Sequence, residues 1–148
     1  MIKFIFNLKI IFIKLILFLI LIFFVKNTYS NELEPLKEIL NKNNNSNINS
    51  LITMNRCAAI YGALYLINSS DTNSKEYENR YKLFLQSAVL EDIKINNKNE
   101  EESYKNQIEK FKSSINFFIQ IYLQNYKKNN SYLKNHWLEN DFFICEKF

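Results

Sequence analysis

The stretch NRCAAIYGALYL, Asn55 to Leu66, holds one of the chain's two cysteines and its single glycine. Apolar residues recur around it at Leu51, Met54, Cys57, Ala58, Tyr61, Leu64, Tyr65 and Ile67, close to the three-and-four spacing that gives a helix one buried face. Cys57 lies on that stripe. Ala58, Ala59, Gly62 and Ala63 set small side chains beside it, so a neighbouring helix can come close. A helical glycine costs about 1 kcal/mol against alanine, and close packing is a reason to carry one.

Outward from this helix, the same spacing accounts for most of the chain. Ser50 is the expected cap of the Cys57 helix, since its side-chain oxygen can accept from a free first-turn N–H. Before it, Glu32 to Leu40 forms a short helix with Pro35 near its start, joined by the polar run Asn41 to Ser50, read as a loose linker. After it, NSSDTN (Asn68 to Asn73) interrupts the pattern. Ser74 then caps a helix bearing Tyr77, Tyr81, Phe84, Leu85, Ala88 and Val89.

Beyond the interruption Asn96 to Asn99 comes the longest stripe: Tyr104, Ile108, Phe111, Ile115, Phe118, Ile119, Tyr122 and Tyr126. Ser131 is the expected cap of a last helix with Leu133, Trp137, Asp141, Ile144 and Cys145. One glycine, one proline and no Asn-Gly or Asp-Gly dipeptide leave little turn chemistry for hairpins. The expected fold is all-α: an antiparallel four-helix bundle-like domain over 51–148, a short helix and Asn-rich linker over 31–50, and a signal-peptide helix over 1–30.

The first 30 residues set the expected compartment. Lys3, Lys9 and Lys14 precede an uncharged apolar run from Leu15 to Val25, and Thr28 and Ser30 lie three and one residues before a plausible cut between Ser30 and Asn31. The rival is an uncleaved anchor over residues 10–25. Its 16 residues would cover roughly 24 Å as a helix, against a hydrocarbon core of about 30 Å, and Lys14 interrupts them. Export to a bacterial periplasm or the exterior is therefore expected, with membrane contact only through this segment. No cysteine sits near the cut, which argues against a lipoprotein.

Charge excludes a nucleic-acid binder. Of 19 basic and 15 acidic residues, four lysines and no acids precede Asn31, so the remaining chain carries 15 of each. Arg56 and Arg80 are its two arginines, and no basic patch is legible. The asparagine and lysine bias matches AT-rich coding, so the asparagine runs are given little structural weight.

Two cysteines in an exported chain favour one bridge, Cys57 to Cys145, which ties the first long helix to the last. Separately buried thiols, an intermolecular bridge or a reactive thiol are the alternatives. A nucleophilic cysteine would need a base, and His136, the one histidine, precedes Cys145 by nine residues. On one helix that spacing sets the two about 180° apart. A structural zinc site needs four ligands, and three cysteine or histidine side chains exist. Met54 and His136 on two helices would suit a haem, but a core methionine and a surface histidine explain them more simply.

Glu100, Glu101 and Glu102 suit the first turn of the long helix. Asp141 stands on an otherwise apolar face, either ion-paired with Arg56 or at the rim. The tyrosines are read as semi-buried packing or as part of a protein- or peptide-binding groove. Sequons at Asn44, Asn68 and Asn129 are close to chance in so asparagine-rich a chain. The plan resembles small exported two-cysteine proteins of AT-rich bacteria, a type that implies no function. The expected protein is a disulfide-stapled, non-enzymatic binding or structural module without a cofactor or metal. A membrane-anchored accessory protein and an envelope enzyme or cofactor carrier using Met54, His136 or Asp141 are the alternatives.

Overall fold

A computed structural model describes residues 34–148. The expected signal segment 1–30, the cut between Ser30 and Asn31 and the anchor 10–25 lie outside the described residues. Five helices and no strand occur among the residues described: α1 (Leu36–Lys42), α2 (Ser46–Ile67), α3 (Ser74–Asn96), α4 (Glu100–Asn129) and α5 (Trp137–Cys145). The fold is an all-α bundle. Three long helices form its frame, and the nine-residue α5 closes one side.

The core is built around α2. Every residue from Arg56 to Leu64 is buried, so this helix is enclosed on all sides rather than along one stripe. Its neighbours are α3, α4 and α5. Among the described residues it is the one helix long and apolar enough to cross a membrane, yet 56% of that window is buried inside the bundle. Enclosure by other helices accounts for that apolarity. Gly62 marks the tightest approach: a Cβ there would lie 2.7 Å from Phe111 Cζ and 2.8 Å from Ile115 Cδ1 of α4.

Aromatic contacts give the direction of the helices. Tyr65 packs on Tyr81 and Tyr61 stacks on Phe84, so α3 runs back as α2 runs forward. Tyr81 near the start of α3 stacks on Phe111, whereas Asp92 near its end meets Ser103 and Gln107 near the start of α4. These two helices are antiparallel as well.

Asparagine, not serine or glycine, punctuates the chain. α2 starts four residues before Ser50, because Asn45 Oδ1 accepts from the N–H groups of Asn47 and Ile48. Asn49 Nδ2 then donates to the Asn43 carbonyl at 2.9 Å, binding α1 to α2. The expected linker Asn41 to Ser50 therefore shrinks to Asn43–Asn45, and the division between 31–50 and 51–148 is no structural boundary: Pro35–Phe148 form one unit. Ser74 is the first residue of α3, with Asn73 before it, and the Ser74 cap is not made. Asn99 Oδ1 caps α4 by accepting from Glu102 N–H at 2.8 Å. Asn97 and Asn130 end α3 and α4 with φ of 50° and 51°, the left-handed position where glycine is usual and asparagine the next choice.

The last helix departs most from expectation. Residues 131–136 are turn, Ser131 Oγ accepts from Lys134 N–H within it, and α5 begins only at Trp137 with His136 as its cap. Leu133 precedes the helix. The cause lies on α4, whose Asn125 side chain holds this turn by its carbonyls.

Candidate functional site

Cys57 of α2 and Cys145 of α5 are joined in a disulfide, with Cα atoms 5.5 Å apart and a sequence separation of 88. Both are wholly buried. With no free cysteine left, neither sulfur is available as a nucleophile or a metal ligand.

Beside the bridge sits a buried charged node. Arg56 is next to Cys57, and its guanidinium lies over the rings of Phe118 at 5.3 Å and Trp137 at 5.7 Å. Its Nε is 3.8 Å from Asp141 Oδ2. Asp141, one turn before Cys145, is 0% exposed, so the rim position weighed for it is wrong. The helical spacing from Trp137 to Cys145 turns it inward with them. Its Oδ1 accepts from the Leu36 backbone N–H of α1 at 2.8 Å. Burial pushes the Asp141 carboxyl up to about 6, against the opposing pull of the Leu36 N–H and Arg56. Tyr122 of α4 is also fully buried; burial and then the Asp141 charge raise its phenol well above the usual range. Leu36, Arg56, Tyr122 and Asp141 bring α1, α2, α4 and α5 together at this point.

His136 and Asp141 do not form a common site. His136 stands outside α5 as its cap, so the opposed placement expected of His136 and Cys145 on one helix does not apply. Its Nδ1 accepts from Leu138 N–H at 3.3 Å, which needs a neutral ring. Burial, helped by Lys128, lowers its pKa accordingly. Met54 packs at the core edge as ordinary apolar filling. Among the described residues, no group of three or more His, Cys, Asp or Glu side chains could hold a metal.

Asn125 escaped the sequence reading. It is 4% exposed, and its Nδ2 donates to the carbonyls of Ser131, Tyr132 and Lys134 at 3.0, 3.1 and 3.1 Å. Its Oδ1 accepts from Asn129 Nδ2 at 2.6 Å. One amide thus ties the turn that delivers α5, and with it Cys145, to the end of α4. The polar character of Asn125 hid it from a search for apolar spacing.

Polar residues also face inward at the start of α4. The buried positions of this helix are Ser103, Gln107, Ile115, Phe118, Tyr122 and Asn125, so its inward face is polar at both ends. Tyr104 and Tyr126, expected on it, are exposed. Ser103 and Gln107 face the buried Asp92 of α3, whose Oδ1 accepts from Asn96 Nδ2 at 2.6 Å and whose Oδ2 has Lys98 Nζ 3.8 Å away. Burial raises the Asp92 carboxyl, but Asn96, Gln107, Ser103 and Lys98 outweigh it and hold the group below its ordinary value. The network closes the α3–α4 hairpin around a single anion. Next to it lies an open cleft of about 470 Å³, lined by Leu85, Val89, Leu90 and Tyr104 together with Lys82 and Glu100. Leu90 and Tyr104 are each more than half exposed.

At the other end of α5, the Tyr61 hydroxyl bonds the Glu146 carboxylate, and Arg80 approaches both, 3.9 Å from Glu146 and over the Tyr61 ring. Burial, then the bond to Glu146, raises the Tyr61 phenol far above its usual value. Asn125, Asp141 and the Tyr61–Glu146 pair are thus engaged in holding one element to another. No protein-family model, curated protein or solved structure matches the chain.

Proposed function

We propose that this protein is an exported, non-catalytic helical module that binds a protein or peptide partner, durable outside the reducing cytosol because of its internal bridge. One observation carries the proposal: both cysteines of the chain lie in a single wholly buried disulfide between α2 and α5. Such bridges persist in oxidising compartments and are rare in the cytosol. The basic, then apolar, then small-residue order of the first 30 residues supports export. The equal number of acidic and basic residues after Asn31 supports a partner other than nucleic acid. Exposed apolar side chains lining the α3–α4 cleft, Leu90 and Tyr104, support binding to a protein surface over catalysis.

The test is the intact mass of the protein from periplasmic, secreted and membrane fractions, with and without reduction and alkylation. The proposal expects a soluble species starting at Asn31 that gains the mass of two hydrogens on reduction. A full-length species in the membrane fraction would replace it with the anchored accessory protein. Thiols alkylated without reduction would remove its main support, and extra mass retained under native conditions would favour a cofactor carrier.

A further inference from the structure

The α3–α4 cleft is apolar in its middle and oppositely charged at its two ends. Leu85 and Val89 are buried in it, whereas Leu90 of α3 and Tyr104 of α4 are 58% and 56% exposed. Along α3 the lining runs from Lys82 to Leu90, about 12 Å of helix. α4 is antiparallel to α3 and starts just after it, so Glu100, the first residue of α4, lies beside the C-terminal end of α3, beyond Leu90. Lys82 and Glu100 therefore mark opposite ends of the cleft, with Leu90 and Tyr104 between them.

Both charges can be reached by a partner, because both side chains are exposed. Lys82 pairs with Glu78 one turn earlier, but an exposed pair within one helix is weakly held, and an ammonium with three donors can serve a second carboxylate as well. Lys98, the cation nearest to Glu100 in sequence, is turned to Asp92 and Glu102 instead.

We propose that this cleft is the face through which two copies of the chain pair about a twofold axis. This names the partner of the module proposed above and rests on that reading for the cleft being a protein-binding surface, not for export. The order of the charges selects the occupant. Turned end for end, a second copy lays its Glu100 over Lys82 and its Lys82 over Glu100, so a single arrangement makes both ion pairs. Between them, Leu90 and Tyr104 of the two copies meet in an apolar centre with polar groups at its edge, the usual make-up of a protein interface. Two antiparallel helix pairs stacked in this way form a four-helix layer. A partner bearing one sign of charge would be repelled at one end of the cleft. Two copies of this chain are not, and with 15 acidic and 15 basic residues after Asn31 they carry no net charge to hold them apart. A contact of this size makes a reversible dimer rather than a permanent one.

The test is sedimentation equilibrium of the disulfide-bonded protein as recovered from cells, at low salt and from about 5 µM to about 500 µM, the range in which a small interface associates. The average mass should climb from one copy towards two. Lys82→Glu should weaken association at least about tenfold, because like charges then meet at both ends, and Glu100→Lys should do the same. Both changes in one chain restore opposite charges at each end and should return the association constant to within about threefold of the parent. Tyr104→Ala should weaken it at least about tenfold. These three positions are exposed, so the helical circular dichroism of every variant should match the parent. A single copy at all concentrations, a Lys82→Glu dimer as tight as the parent, or a double variant as weak as the single ones would overturn the proposal, the first by leaving the cleft to a different protein or peptide. None of these results touches export, which the mass beginning at Asn31 decides.

Discussion

Replacing Asn125 with alanine deletes two amide hydrogens that serve three backbone carbonyls, those of Ser131, Tyr132 and Lys134. A net hydrogen bond is worth about 1 kcal/mol, and an acceptor stranded out of water costs about 1–3 kcal/mol. Part of the turn is half-exposed, so water recovers some of this. The expected loss is about 2–4 kcal/mol, read as a shift in urea midpoint with unchanged slope and the disulfide intact. Asn125→Asp makes the sharper comparison. It keeps an oxygen for Asn129 but turns a second one against the carbonyls, so it should be at least as damaging as alanine. Asn129→Ala, which removes a single half-buried donor, should cost under about 1 kcal/mol. The reduced Asn125→Ala chain should also reoxidise more slowly, because the turn no longer aims Cys145 at Cys57. A loss below about 0.5 kcal/mol for Asn125→Ala would refute the idea that this amide builds the turn.

Removing the bridge by Cys57→Ala with Cys145→Ala should lower stability by roughly 4–5 kcal/mol, the chain-entropy value for a loop of this length, in urea unfolding of the oxidised parent against the variant. A difference under about 1 kcal/mol would mean that α5 is held by Leu138 and Asp141 without it. Gly62→Ala gains about 1 kcal/mol of helix propensity but drives a Cβ into Phe111 and Ile115, an overpacking cost of about 1–3 kcal/mol. A lowered Tm is expected, with Gly62→Val lower still; a raised Tm would show that α4 yields freely.

The helical periodicity located α2, α3 and α4 and their main apolar contacts, because a helix with a buried face writes that face at fixed spacing. It put Cys57 and Cys145 on inward positions, and the structure joins them. It also offered Arg56 with Asp141 as one of two readings, and the structure places them 3.8 Å apart. It went astray where polar residues face inward. Ser103, Gln107 and Asn125 are buried on α4, so an apolar search drifted by one residue onto Tyr104 and Tyr126. Discounting asparagine as coding bias hid the caps at Asn45 and Asn99 and the helix ends at Asn97 and Asn130, in a chain with one glycine to share among its turns.

By itself the sequence determined that the domain is helical, which helices are long, and that two cysteines were available to pair. These are local properties, set by side-chain spacing and by turn chemistry within a few residues. Tertiary structure decided that Asp141 is buried rather than at the rim, that His136 caps α5 instead of lying within it, and that Asn125 sets where α5 begins. Asp141 shows how remote such a partner can be: Leu36 is 105 residues from it in sequence yet 2.8 Å away in space. A polar side chain carries no mark of whether its partner will be water or another helix, and only the packed chain supplies that partner.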